Sequence, residues 1–455
     1  MNHYRIALFT PLHPLKSGIS DYIEEMLPYL RQSFGDKYTI DIFVDGFEPD
    51  SQYIKDNYKI LEMDDFEACR DNYDLVIYQM GNNNFHLKIM DYAMRYPGLL
   101  VMHDFAIHHL VAYYYLDRMK SDTAYFQAVE DNHGQAARDI AYQRAAKGEL
   151  GLWETDAIDY PMNRVLVQRS LGAIIFSEFS KQRLLKYGDH VPIHRVYLHC
   201  SGKARRITPD EKEKACKKLG VKLEKGERLI CVFGFIGRAK RPYSILEAAR
   251  RLREAGEKFR IVYVGQLQDD CKDLPGRIRD EGLKGIASIT GFTTAEEFDL
   301  YVQAADICIS LRYPTMGETS GVLMRALRYG KPSIVTDIGT FCEFPDDTVI
   351  KIGHGDTEVD ELTYELKRLL SDDDLNESLA SNGVKYAEEH LEPQKTAQSF
   401  VDFAKELIAF EKIRKNPEYI AARDELLKAV PEDDRTIERY ARKLSDMFKE
   451  SEEIL

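Results

Sequence analysis

Phosphate groups are recognised by glycine turns that let a backbone approach, by helix N-termini whose free N–H groups face the anion, and by nearby cations. Three stretches of this sequence combine such features. In PLHPLKSGISDY, Lys16, Ser17 and Gly18 precede a helix predicted to start near Ser20 or Asp21; the plainer alternative is a strand-to-helix turn with a Ser or Asp cap. In FGFIGRAKRPYSILEAARRL, Arg238, Lys240 and Arg241 fall in the turn before a helix beginning near Pro242. Cations beside the positive end of a helix are badly placed unless an anion lies between them, so this turn is the best physical indication of a phosphate site; solvated loop charge is the alternative.

The third stretch is RYPTMGETSGVLMRALRYGKPSIVTDIGTFCEF. A strand ends near Leu311, a loop with Pro314 and Gly317 follows, and Ser320 or Gly321 opens a helix that stops at Gly330 and Lys331-Pro332. The amides of Thr319, Ser320 and Gly321 are then free to meet a ligand at the carboxyl end of a parallel sheet. Glu318, just ahead, is placed either to accept hydrogen bonds from sugar hydroxyls or to act as an ordinary dipole partner. Other ionisable residues take a blander reading. His108 and His109 lie on an amphipathic helix and read as structural, Asp269-Asp270 and Asp346-Asp347 as loop charge, and Trp153 as core or as an acceptor contact. No His or Asp spacing resembles a metal site, so the expectation is chemistry without a metal.

These loops need rigid elements to hold them. The first half alternates short apolar runs with longer amphipathic stretches, as parallel sheets covered by helices require. Strands are predicted at Ile6 to Thr10, Thr39 to Val44, Leu75 to Gln79, Leu99 to His103 and Ala173 to Phe176, with a helix from Asp21 to Gln32. After Gly202 a charged helical stretch leads into Leu229 to Phe235, and the alternation restarts at Arg260 to Gly265, Ser288 to Thr290, Ile307 to Ser310 and Ser333 to Thr336. The expected fold is α/β with two doubly wound Rossmann-like domains, 1–203 and 204–391, facing a central cleft. From about Glu392 the pattern is helical, and residues 392–455 read as a C-terminal extension ending in a charged tail, either packed on the body or facing a protein partner.

With 76 acidic and 62 basic side chains among 455 residues, the net charge of −14 gives no general attraction for nucleic acid or anionic lipid. The 7 cysteines are scattered and read as reduced, and no apolar run is long enough for a signal h-region or a membrane span. A cytoplasmic protein is expected, with at most peripheral contact at the inner membrane face.

FGFIGRAKR, YVGQL and the run from GFTTAEEF to CEFPDD resemble the donor-binding half of retaining family 4 glycosyltransferases with the GT-B fold. YQMGNNNFH and VMHDFAIHHL resemble the acceptor-side domain of a bacterial subset of that family, and the likeness runs from about Ile6 to about Glu392. The resemblance implies that Arg238 and Lys240 neutralise a donor diphosphate, with Gly237 in the same turn and Gly18 offering an amide to the same phosphates. It implies that Glu318 and the amides of Thr319, Ser320 and Gly321 grip the transferred sugar, which His103 meets from the other domain. Asp104, His86 and Asn82 would line the acceptor side. One departure stands out. Aligning LMRAL with the usual LLEAM of the family puts Arg325 where a ribose-gripping glutamate belongs, and the first glutamate of the usual pair falls on Gly317, one residue before Glu318. A guanidinium cannot accept a diol as a carboxylate does.

The implied function is transfer of a hexose-type unit, with retention, from a nucleoside-diphosphate sugar to a glycan or lipid-linked glycan, in cell-surface polysaccharide or glycoconjugate synthesis and without a cofactor. Three alternatives stand beside it: a catalytically silent glycosyltransferase-like subunit, which Arg325 favours and the retained Arg238, Lys240 and Glu318 disfavour; a nucleotide-sugar epimerase; and a phosphorylase, for which no cofactor lysine is identifiable. A dinucleotide-dependent dehydrogenase fits poorly, because no G-x-G-x-x-G follows the first strand.

Overall fold

The computed structural model describes residues 3–186, 191–417 and 420–421. Apolar runs rich in β-branched and aromatic residues build two all-parallel sheets. The first comprises β1 (Tyr4–Phe9), β2 (Tyr38–Val44), β3 (Lys59–Glu62), β4 (Leu75–Met80), β5 (Leu99–Met102), β6 (Gly172–Ile175) and β7 (Ile193–Arg195), in the order β3-β2-β1-β4-β5-β6-β7. The second comprises β8 (Arg228–Phe233), β9 (Phe259–Val264), β10 (Ala287–Ile289), β11 (Ile307–Ser310), β12 (Ser333–Thr336) and β13 (Ile350–Ile352), in the order β10-β9-β8-β11-β12-β13. Both orders reverse direction beside their first strand, between β1 and β4 and between β8 and β11. Open parallel sheets bind ligands at such switch points, beyond the carboxyl ends of the strands.

Helices cover both faces. Phe9, Phe43 and Phe66 are fully buried against one another, each burial contributing about 1.5–3 kcal/mol. The helix Gly18–Phe34 starts earlier than the predicted Ser20 or Asp21, because the Ser17 hydroxyl caps it by accepting from the amides of Ile19 and Ser20. Its buried face carries Tyr22, Ile23, Met26, Leu27 and Leu30. The chain enters the second domain with the helix Pro209–Leu219, capped reciprocally by Thr208 and Glu211. The expected C-terminal helix runs Pro393–Lys415 and returns to the first domain, where Gln394 reaches Ser33 at 2.9 Å and the His194 ring stacks on Phe403. The charged tail beyond it, 422–455, lies outside the described residues.

Ten strands form where the apolar runs place them, and three, β3, β7 and β13, escape the sequence pattern. All three lie at the edges of the sheets, where their residues are mostly exposed or half-buried, and so lack an apolar run.

Candidate functional site

The loops that follow β1, β4, β8 and β11 flank the two switch points, and the two sheets turn these loops toward one another. The Ala106 amide, after β5, donates to the Met316 carbonyl, after β11, at 2.8 Å. Gly317 has φ +71°, and a Cβ there would lie 2.6 Å from the Cβ of Phe105 in the first domain. Glu343 of the second domain caps the helix Glu178–Leu185 of the first, accepting from the amides of Glu178 and Phe179 at 2.9 and 2.6 Å. The two domains are therefore in direct contact at this seam, through backbone as well as side chains.

On the second-domain wall, Gly237 opens a tight turn, Arg238–Lys240, and a side chain at Gly237 would strike Gln268. Arg238 is exposed; its amide donates to Asp270 Oδ2 at 2.9 Å and its Nε to the Asp270 carbonyl at 3.1 Å. Asp270, expected to be loop charge, thus fixes the turn. Lys240 folds back so that its Nζ donates to the carbonyl of Phe233 at the end of β8. Burial, reinforced by Arg312, pushes this ammonium well below the ordinary lysine value, against the pull of Glu318. Arg241 is not available to a phosphate: it adopts a left-handed conformation with φ +57° and binds both oxygens of the fully buried Glu358 at 2.8 and 2.9 Å.

Glu318 is gripped rather than loose. Its Oε2 accepts from the Met316 amide at 2.8 Å and from Thr315 Oγ1 at 3.0 Å, and its Oε1 pairs with Arg312 Nε at 2.6 Å. The helix that follows is Gly321–Arg328, with Ser320 as its cap accepting from the Leu323 amide. Ser320 is buried, Thr319 is partly open, and the Gly321 amide heads the first turn beside them. Arg325, one turn inside, does not face open cleft: its Nη2 donates to Glu25 Oε1 of the first domain at 2.9 Å.

On the first-domain wall, Gly18 leads the helix Gly18–Phe34 with open space around its Cα, while Ser17 caps the two amides that follow. His103 donates from Nε2 to Gln79 Oε1 at 2.7 Å, and burial, helped by His86 and His199, pushes it down to about 3. Asp104 accepts from the Asn82 amide at 2.8 Å, and burial, with Glu318 across the seam, pushes it up to about 7. The Asn82 side chain turns away to the Leu110 amide and to His109. His86 is fully buried beneath the turn, its Nδ1 donating to the Gln79 carbonyl at 3.0 Å and its value depressed to about 4 by burial. It supports the wall from behind. His108 and Trp153 pack together with Tyr125, as core.

Sequence reading thus overlooked Arg312, Thr315 and Asp270 on one wall and Tyr22, Glu25, Gln79 and His199 on the other. Arg312 had a signal, lying in the same short loop as a carboxylate that needs a partner. Glu25 and His199 had none, because their partners are supplied by the fold.

Residues 216–386 match the family described as glycosyl transferases group 1. No curated protein sequence matches the chain significantly. Among solved structures, sucrose-phosphate synthase from Thermosynechococcus elongatus superposes with a TM-score of 0.62 at 15% identity, covering 90% of this chain and 100% of its own. HepE of Anabaena, solved in complex with UDP, gives 0.61 at 15% identity, with 88% and 99% covered. WaaG, a glycosyltransferase involved in lipopolysaccharide biosynthesis, gives 0.56 at 13%, again with 88% and 99% covered. The two facing parallel sheets with C-terminal helices are the GT-B architecture of glycosyltransferases.

Proposed function

We propose that this chain is a glycosyltransferase that moves a hexose-type unit from a nucleoside-diphosphate sugar to a hydroxyl of a glycan or lipid-linked glycan, with retention of configuration. The observation that carries the reading is that the helices headed by Gly18 and Gly321, each following a strand at a switch point, meet through Glu25 and Arg325, with Lys240 beside Arg312 and Glu318 and Arg238 in the same turn as Lys240. Two positive helix ends and two cations make a seat for a diphosphate, and their stabilisation of it grows as negative charge develops on the leaving oxygen.

Uridine diphosphate is the first candidate for the carrier, since HepE has been solved with UDP and with UDP-glucose. Glu318, fixed by Arg312 and Thr315, meets hydroxyls of the transferred sugar, and His103 meets the same sugar from the opposite wall. Asp104, held by the Asn82 amide, faces the acceptor. No protein nucleophile is assigned; the departing phosphate takes the acceptor proton, and closure of the seam excludes water.

The test is a thermal-shift panel of UDP, GDP and dTDP with their hexose conjugates, followed by assay of donor hydrolysis on the full chain. One nucleoside diphosphate should raise the melting temperature, and its sugar should be cleaved slowly even without an acceptor. Binding without any release would make the chain a silent subunit, and no shift with any member of the panel would sink the proposal.

A further inference from the structure

Tyr22 and Glu25 share one face of the helix Gly18–Phe34, one and two turns inside the end that carries Gly18. Arg325 lies one turn inside the helix Gly321–Arg328 of the other domain, and the two helices meet at the Arg325–Glu25 bond of 2.9 Å. Further polar groups converge on this junction. The Tyr22 ring stands 4.7 Å from that of His103 and 4.8 Å from that of His199, and His199 Nε2 lies 3.7 Å from Glu25 Oε2. Tyr22 and His199 are only 7% and 6% exposed. Even so, Tyr22 Oη and both ring nitrogens of His199 have no hydrogen-bond partner among the described residues. Folded proteins rarely leave such groups buried and unpaired, because each forfeits its hydration for nothing; at a functional site they mark a ligand position.

The chemistry of the set narrows the ligand. Burial holds the Tyr22 phenol protonated and depresses His199 to about 4, against the pull of Glu25, so His199 offers one donor and one acceptor. Glu25 contributes an oxygen, Oε2, while Arg325 engages its sister. A carboxylate here repels phosphate, and neutral donors and acceptors around it suit hydroxyl groups. We infer that Tyr22, Glu25 and His199 form a subsite for a vicinal diol of the bound nucleotide sugar, with Arg325 positioning Glu25 from the opposite domain. The inference rests on the nucleotide-sugar reading above and adds to it which groups read the hydroxyls at the seam. Two parts of such a ligand carry a vicinal diol, the ribose and the transferred hexose.

Calorimetry on the full chain separates them. The wild-type protein and the variants Glu25→Gln, Tyr22→Phe and Arg325→Gln are titrated with UDP, 2′-deoxy-UDP and UDP-glucose, and in parallel with GDP, 2′-deoxy-GDP and GDP-mannose. In the wild type, either the 2′-hydroxyl or the attached hexose adds about tenfold to affinity, and the arm that does so identifies the source. That increment shrinks to about twofold or less in each variant. A purely structural role for these residues would lower the melting temperature and leave the ratio alone. An unchanged ratio in the variants, or no increment from either hydroxyl source in the wild type, overturns the subsite. Failure of the wild type to bind any of the nucleoside diphosphates overturns the functional reading itself, and the subsite with it.

Discussion

On the wall built by the second sheet, charges come in pairs, Arg312 with Glu318 and Arg241 with Glu358, while Asp270 holds the Arg238 turn through its backbone amide. Lys240 stands apart, its ammonium bound to a backbone carbonyl and pushed well below its ordinary value by burial. On the wall built by the first sheet, apart from Glu25, which pairs with Arg325, burial disfavours charge. Burial depresses His86, His103 and His199 to between about 3 and about 4, and holds Asp104 up at about 7. Burial acts on both walls, but on different side-chain types. On the second wall burial works against an ammonium, Lys240, and on the first it keeps imidazoles neutral as donors and acceptors. On the proposed reading an arriving diphosphate favours the ammonium, while His103 and His199 meet hydroxyls without attracting charge.

The largest effect that would break this contrast is expected at Lys240. If it meets the diphosphate, Lys240→Ala lowers turnover by about 10²–10³-fold. A second readout is binding: an anion at Lys240 would favour the ammonium that burial works against, so Lys240→Ala should also weaken nucleoside-diphosphate binding, read by calorimetry. Near-normal turnover in the variant removes Lys240 from the charged wall's task.

Much of this arrangement is legible in the sequence, and the part that is not has a common cause. The apolar runs announce the central strands, and Ser320 followed by an amphipathic stretch announces the helix it caps, because those signals are local. Partner choice is not local. Arg241 and Lys240 are equally good phosphate ligands on paper, but Glu358, 117 residues further on, captures the first and not the second. Arg325 looks like a missing carboxylate until Glu25, 300 residues earlier, is seen to face it. Asp270 passes for loop charge until the fold sets it under the Arg238 amide. In each case the sequence displays the charge and the tertiary fold decides what neutralises it.

A smaller effect would come from forcing the walls apart. Gly317 combines φ +71° with a would-be Cβ 2.6 Å from Phe105 Cβ, and 3.3 Å from both Ile158 and Phe179. Gly317→Ala should therefore cost about 1–3 kcal/mol of stability, measured by denaturant unfolding, and raise KM more than it lowers binding of the free nucleotide to the second wall. A variant as stable as the wild type would show that the seam is looser than its contacts indicate.

The last effect, read in stability rather than in turnover, concerns a carboxyl that the first wall holds up. The unfolded chain releases the Asp104 proton near the ordinary carboxylate value of about 3.9, while the folded chain keeps it to about 7. Over that interval the folded state binds more protons than the unfolded state, so this residue's contribution to stability falls as pH rises from about 4 to about 7 and is level above. Asp104→Asn abolishes the term and keeps an oxygen for the Asn82 amide. The variant should gain stability relative to the wild type step by step across that window, read as the difference in melting temperature at pH 5, 6, 7 and 8. An offset that is the same at pH 5 and pH 8 would show that Asp104 ionises normally. Glu318 opposes ionisation of Asp104 from across the seam, so in a Glu318→Gln background the same difference should climb less steeply. The two walls are then joined by a measurable electrostatic coupling, and its loss on opening the seam with Gly317→Ala would place that coupling in the closed form.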